Sequence, residues 1–141
     1  MQDDLKKHGY FKIAQNIFLL NSKNQFLVLQ HKSGKWLLPG GRLNKEENWL
    51  QGLKREIKEE TGVSNFKVNS IFKTDTWDLK GDSYFGVFYI GEINDSDIVL
   101  SDEHKDYKWI DKLEQVNALD FWNQDLKDKI LQFYRKYLIV I

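Results

Sequence analysis

The 141 residues include no cysteine and a single proline, Pro39. Without cysteine there is no disulfide framework, no thiol nucleophile and no zinc–thiolate site, and the cytoplasm is the expected compartment. Long apolar runs are also missing. Stretches such as residues 17–20 and 138–141 are far shorter than the roughly 20 apolar residues of a membrane span. The opening MQDDLKKHGY lacks the apolar stretch of a signal peptide. No charge of either sign dominates, with 21 basic and 21 acidic side chains. A dedicated nucleic-acid binder, which carries a basic excess, is therefore not expected. Repeats, low-complexity tracts and linkers are absent, so residues 1–141 are read as one domain. Its hydrophobic content of 41% is enough for a packed core, which argues against disorder.

The pattern along the chain alternates strands and helices. Residues 10–20 and 25–31 are rich in strand formers and are separated by the polar turn at 21–24, which predicts a hairpin or two neighbouring strands. Trp36, Leu37 and Leu38 follow, and then Pro39, Gly40 and Gly41, where an irregular loop is expected. Residues 48–61 read as a helix with Asn48 as N-cap, Gln51 at N3 and Gly62 as the stop. Leu50, Leu53 and Ile57 give it one buried stripe. Strands are predicted at 66–74 and 84–93, joined through 75–82 with a turn at Lys80, Gly81 and Asp82, and a short strand at 107–110. Residues 121–137 place Phe121, Trp122, Leu126, Ile130, Phe133 and Tyr137 at helical spacing. The sum is a mixed sheet covered by helices.

The helix at 48–61 carries Arg55-Glu56-Ile57-Lys58-Glu59-Glu60. Glu56, Glu59 and Glu60 span an arc of roughly 100° on one face. Like charges at this spacing repel. The pattern is either a solvated acidic face, softened by Lys54, Arg55 and Lys58, or a set of hard oxygen ligands for Mg²⁺ or Mn²⁺. Two features favour the ligands. Gly52 lies one turn before Glu56 and leaves bare helix beside the carboxylates, and the diglycine loop lets backbone approach closely.

Gly41, then Glu47, then Arg55-Glu56-Ile57-Lys58-Glu59-Glu60-Thr61-Gly62-Val63 resembles the Nudix box, G-x5-E-x7-R-E-U-x-E-E-x-G-U with U aliphatic, at every fixed position. Gly52 stands where alanine is commoner. The resemblance implies an α/β (mixed α+β) fold, an α/β/α sandwich with a curved mixed sheet between helices. It also implies hydrolysis of a pyrophosphate bond in a small nucleoside diphosphate derivative. Glu56, Glu59 and Glu60 would then be metal ligands and Glu59 catalytic, with Arg55 orienting the glutamates and Glu47 supporting them. Gly40 and Gly41 would shape the substrate loop. Mg²⁺, or Mn²⁺, is the implied cofactor.

Downstream, Glu103-His104-Lys105-Asp106-Tyr107-Lys108-Trp109 is similar to the family's E-H-x-x-Y-x-W segment. By that likeness Glu103 completes the metal shell or deprotonates water. His104, of ordinary pKa about 6.5, is the alternative base. His8 and His31 fit no pattern. Phe11, Trp77, Tyr84 and Phe88 are candidate walls for a nucleobase, of which Trp77 and Tyr84 are carried forward as substrate-binding residues. The proline that ADP-ribose-cleaving members carry some way after the box is missing, as is the SQPWPFP-type string of NADH-cleaving members. The balance moves towards nucleoside triphosphates, oxidised ones included, or nucleotide sugars. A non-catalytic nucleotide sensor on the same fold is the alternative, and an acidic-helix interaction protein leaves the spacing of Gly41, Glu47 and Arg55 without a reason. The chain is expected to be a monomer or a homodimer, with the apolar tail at 138–141 packing in either.

Overall fold

A computed structural model describes residues 8–94 and 97–139. Its elements are β1 (Phe11–Leu20), β2 (Phe26–His31), β3 (Trp36–Leu37), β4 (Gly40–Arg42), α1 (Trp49–Thr61), β5 (Phe66–Leu79), β6 (Asp82–Ile93), β7 (His104–Ile110), α2 (Leu113–Ala118) and α3 (Gln124–Phe133). A π-helical turn, Tyr134–Leu138, continues α3. The seven strands form one sheet in the order β3-β2-β1-β6-β5, with β4 also paired to β1 and β7 to β2. β1 and β6 run parallel from Phe11↔Ser83 to Leu20↔Glu92. The other strand pairs are antiparallel.

The two-residue period of the strands decides what each face meets. In β1, Ile17 and Leu19 pack with Leu53 and Ile57 of α1. Phe18, between them, packs with Ile130 and Phe133 of α3 on the other face. In the same way β2 sends Leu27 and Leu29 to α1, and Phe26 and Val28 to α3. Ile17–Leu19 of β1 and Phe26–Leu29 of β2 are covered on both faces, which is why these stretches read as apolar runs rather than as alternation. The result is the expected α/β/α sandwich around a mixed sheet.

Several elements depart from the sequence reading. Residues 75–79 continue β5, and the hairpin closes tightly at Lys80 and Gly81, both at positive φ. An edge strand leaves polar residues such as Thr76 and Asp78 exposed, so their composition does not forbid a strand. Gly40–Arg42 is a short strand on β1 instead of an irregular loop. β7 begins at His104, three residues early. The terminal helix starts only at Gln124, because Phe121 bridges to Trp36 and Asn123 caps the helix by accepting from Leu126 N at 2.8 Å. α2 was not expected at all. Among the described residues no helix is long and apolar enough to cross a membrane. Residues 140 and 141 of the apolar tail lie outside the described residues.

Candidate active site

α1 is defined by its own ends. Asn48 Oδ1 accepts from Gln51 N at 2.9 Å, and Gln51 Oε1 accepts from Asn48 N at 3.0 Å, a complete capping box. Gly62, left-handed at φ 74°, closes the helix. With Leu53 and Ile57 fully buried against the sheet, the helical period turns Glu56, Glu59 and Glu60 towards a cavity that Gly40, Gly41, Glu103 and His104 also line.

The diglycine segment touches two of these carboxylates. Gly40 N donates to Glu60 Oε1 at 2.8 Å. A Cβ on Gly40, at φ 152°, would run into the Gln15 backbone, and one on Gly41 would overlap the Glu56 carboxylate. Glycine is what allows backbone and carboxylates to meet here. Of the two uses expected for the bare patch at Gly52, close packing or a ligand, the structure shows packing, by side chains. A Cβ there would stand 2.9 Å from Glu47 Oε1 and 2.5 Å from Leu43 Cδ1, so the missing side chain makes room for Glu47 and Leu43.

Arg55 joins the remaining carboxylates. Its Nε and Nη2 donate to the two oxygens of Glu47 at 2.9 and 2.7 Å, and its Nη1 donates to Glu56 Oε1 at 2.8 Å and Glu59 Oε2 at 3.4 Å. Nη2 also reaches the Arg42 carbonyl at 3.1 Å. The hydrogen bonds from Arg55 hold the Glu47 carboxyl down at about 2. Donating to Glu47 and Glu56 in turn pushes the guanidinium pKa upwards.

Glu60 and Glu56 move the other way. Burial, followed by the charges of Glu56, Glu103 and Glu59, pushes Glu60 up to about 8 against the hydrogen bond from Gly40. Burial also raises Glu56, although Arg55 opposes it. His104 is 7% exposed. Its Nε2 lies 3.5 Å from Glu60 Oε2, and its Nδ1 lies 3.3 Å from Ser101 Oγ. Burial, then the neighbouring His31, lowers its pKa. Both shifts disfavour the charged forms of the two partners. Glu103 precedes β7 and is exposed to the cavity.

Among the described residues no three acids or histidines converge on a single ion position. The side chains are held elsewhere: Glu56 and Glu59 by Arg55, Glu60 by Gly40 and His104. The donor chemistry nevertheless fits a hard divalent cation. Glu56, Glu59, Glu60 and Glu103 are all oxygen donors on one cavity, and burial together with the charges of the other three raises Glu60.

Trp77 and Phe88 line the same cavity from the sheet, as does Phe11. Tyr84 does not line it. Tyr84 is the cross-strand partner of Trp77 and stacks on it at 5.8 Å and 8°. His31, which fitted no pattern, also lines the cavity, with its ring 6.1 Å from His104 and 5.5 Å from Trp122. Lys129 and Asp125 of α3 are cavity residues that the sequence reading missed. Their only sequence signal is an i, i+4 acid–base pair, which normally marks a solvated helix face.

The NUDIX domain family model matches residues 11–133, which takes in the whole carboxylate helix and the strands around it. The chain belongs to the Nudix family. Its relatives include the mouse protein named bis(5'-nucleosyl)-tetraphosphatase [asymmetrical], 30% identical, with the match covering 72% of this chain and 74% of that protein. Zebrafish 8-oxo-dGDP phosphatase NUDT18 is 36% identical over 42% of this chain, but the match covers only 19% of that protein's length. Among solved structures, the MutT protein from Methanosarcina mazei Go1 superposes with a TM-score of 0.76 at 28% identity, covering 89% of this chain and 94% of that one. In this Nudix chain the box residues Glu47, Arg55, Glu56 and Glu59 form one hydrogen-bonded group, while Glu60 joins the diglycine strand and β7.

Proposed function

We propose that the chain hydrolyses a phosphoanhydride bond of a nucleoside polyphosphate, a (deoxy)nucleoside triphosphate or its oxidised form, with Mg²⁺ or Mn²⁺. One observation carries this reading: Glu56, Glu59, Glu60 and Glu103 lie at one part of a continuous cavity whose other walls include Trp77 and Phe88. Phosphoanhydrides resist hydrolysis because their negative charge repels the incoming oxygen. The chemistry a bound divalent cation supplies is positive charge on the phosphates and a water of lowered pKa. Glu56, Glu59 and Glu60 would hold it. Arg55 keeps Glu56 and Glu59 aligned, and Glu47 keeps Arg55 in place. Glu103, exposed to the cavity, would accept the proton of the attacking water. His104 is engaged with Glu60 and Ser101 and supports the carboxylates.

A dinucleoside tetraphosphate is the second reading, supported by the mouse relative, whose match covers about three quarters of that protein. Phosphate release should be screened with Mg²⁺ over nucleoside triphosphates, oxidised guanine nucleotides, dinucleoside polyphosphates and nucleotide sugars. Glu59→Gln should lower turnover of the best substrate by about 100-fold or more while leaving the melting temperature unchanged. Wild-type turnover in that variant would overturn the metal-ligand reading.

A further inference from the structure

Gln15 puts an amide where its strand otherwise faces α1 with hydrocarbon. It is 2% exposed, and the next residues of β1 on that face, Ile17 and Leu19, are fully buried against Leu53 and Ile57. Both ends of the amide are used. Its Nε2 donates to the Trp49 carbonyl at 3.0 Å, and its Oε1 accepts from the Tyr89 hydroxyl at 2.7 Å. A carbonyl can only accept, so the amide has one orientation here. The Tyr89 ring stacks in turn on Trp49, with centroids 5.3 Å and planes 25° apart. One residue each from β1, β6 and α1 thus closes a ring of contacts at the first turn of the carboxylate helix.

The strand position of Gln15 gives this ring its use. Gln15 is the cross-strand partner of Gly41, and its carbonyl oxygen is what a Cβ on Gly40 would strike. The diglycine strand and the start of α1 are therefore both referred to one residue. Gly40 ties the last turn of the helix through Glu60, and Gln15 ties the first. The capping box shapes the helix end but does not fix where the helix lies on the sheet, because both its partners belong to the helix terminus. The apolar stripe does not fix it sharply either, since hydrophobic contact is non-directional. A hydrogen bond has a set length and angle. Glu56 lies about 10 Å along the axis from Trp49, so a shift at the first turn moves its carboxylate against Gly41.

We propose that Gln15, oriented by Tyr89, is a positioning residue that sets α1 against the diglycine strand, and so the spacing of Glu56 and Glu60 from Gly41 and Gly40. None of Gln15, Tyr89 and Trp49 lines the cavity, so the effect passes through the Trp49 carbonyl. Tyr89 is 5% exposed, and burial raises its pKa, so the phenol keeps the proton it donates. Turnover is where the tie matters most, because a misplacement of about 1 Å at reacting groups costs about 100-fold in rate. This inference rests on the reading of the α1 carboxylates as the reacting site.

The test compares Gln15→Met and Tyr89→Phe, which keep the volume and remove the polar atoms, with their double variant and with Ile17→Val, an apolar change in the same layer. Hydrolysis of the best nucleotide in Mg²⁺ should fall about tenfold or more in kcat for each of the first two, with KM within about twofold. The double variant should be no slower than the slower single one, because both break the same tie. Ile17→Val should lower the melting temperature and leave kcat unchanged. Wild-type kcat in either polar variant, losses that multiply in the double variant, or an equal loss in Ile17→Val would overturn the proposal. Tyr89→Phe, which loses one oxygen, keeps the test in force if Gln15→Met does not fold. Hydrogen exchange separates this inference from the reaction itself. Without metal or substrate, the Gly52 and Leu53 amides should exchange about tenfold faster, relative to Phe18, in both polar variants. That change in a protein that hydrolyses no nucleotide would sink the reaction and keep the tie. Hydrolysis with an unchanged exchange ratio would do the reverse.

Discussion

Arg55 grips Glu47 with two parallel hydrogen bonds, from Nε at 2.9 Å and Nη2 at 2.7 Å, and uses its third nitrogen on Glu56 and Glu59. One cation thus orders three carboxylates of the same site, and a lysine, which lacks the planar fork, cannot do so. Arg55→Lys should reduce kcat by about 10–100-fold with a smaller change in KM, measured by steady-state kinetics. A variant with wild-type kcat would show that the fork has no part in turnover.

The same pair sets an acid limit on stability. The folded Glu47 carboxyl, at about 2, lies below its ordinary value of 4.5. Its contribution is therefore complete above 4.5 and lost as pH falls through 2. Acid titration of the melting temperature should show a steeper fall in that window for wild type than for Glu47→Gln. Parallel curves would remove Glu47 from the account of acid sensitivity.

Glu60 works in the opposite direction. Its folded pKa is raised to about 8, so the metal-free protein is favoured below 4.5 and loses that contribution as pH rises through 8. A divalent cation needs the carboxylate, so its binding must release a proton below pH 8 and tighten as pH approaches 8. Calorimetric titration with Mg²⁺ in buffers of different ionisation enthalpy measures this release. Glu60→Gln should abolish it, and an unchanged proton count in that variant would count against Glu60 as a ligand.

Adjacent glycines should fail differently. Gly40→Ala drives a methyl into backbone at a positive φ, and should cost about 1–3 kcal/mol or more of stability. Gly41→Ala meets the Glu56 side chain first, which can turn away, so activity should fall far more than stability. Thermal melts and turnover on the two purified variants would reverse this assignment if Gly41→Ala were the less stable one.

For the proton acceptor, Glu103→Ala should remove most activity across the pH range without lowering the melting temperature, because the side chain is exposed. His104→Ala should lower the melting temperature and spare the shape of the pH profile. Full activity of Glu103→Ala would return the role to His104.

Much of the site could be read locally. The capping box of Asn48 and Gln51, the stop at Gly62 and the face shared by Glu56, Glu59 and Glu60 all lie within about four helical turns, where the 3.6-residue period fixes neighbours. The box spacing extended this to Glu47 and Gly41. Beyond that range the signal fades. Residues 75–79 look polar enough for a loop, and only pairing with Asp82–Ile93 makes them strand. Asp125 and Lys129 look like a surface pair until Asp75, 54 residues before Lys129, closes on the ammonium.

By itself, then, the sequence determined the carboxylate helix, its caps, the family resemblance and the strands that are buried on both faces. Those depend on chain-local periodicity and on residue type. Only the tertiary structure decided that Gly41 yields to Glu56, that His104 faces Glu60, that Tyr84 backs Trp77 without reaching the cavity, and that Lys129 is buried beside it. Each of these is a contact between elements distant in the chain, set by how the layers pack, and no local pattern encodes it.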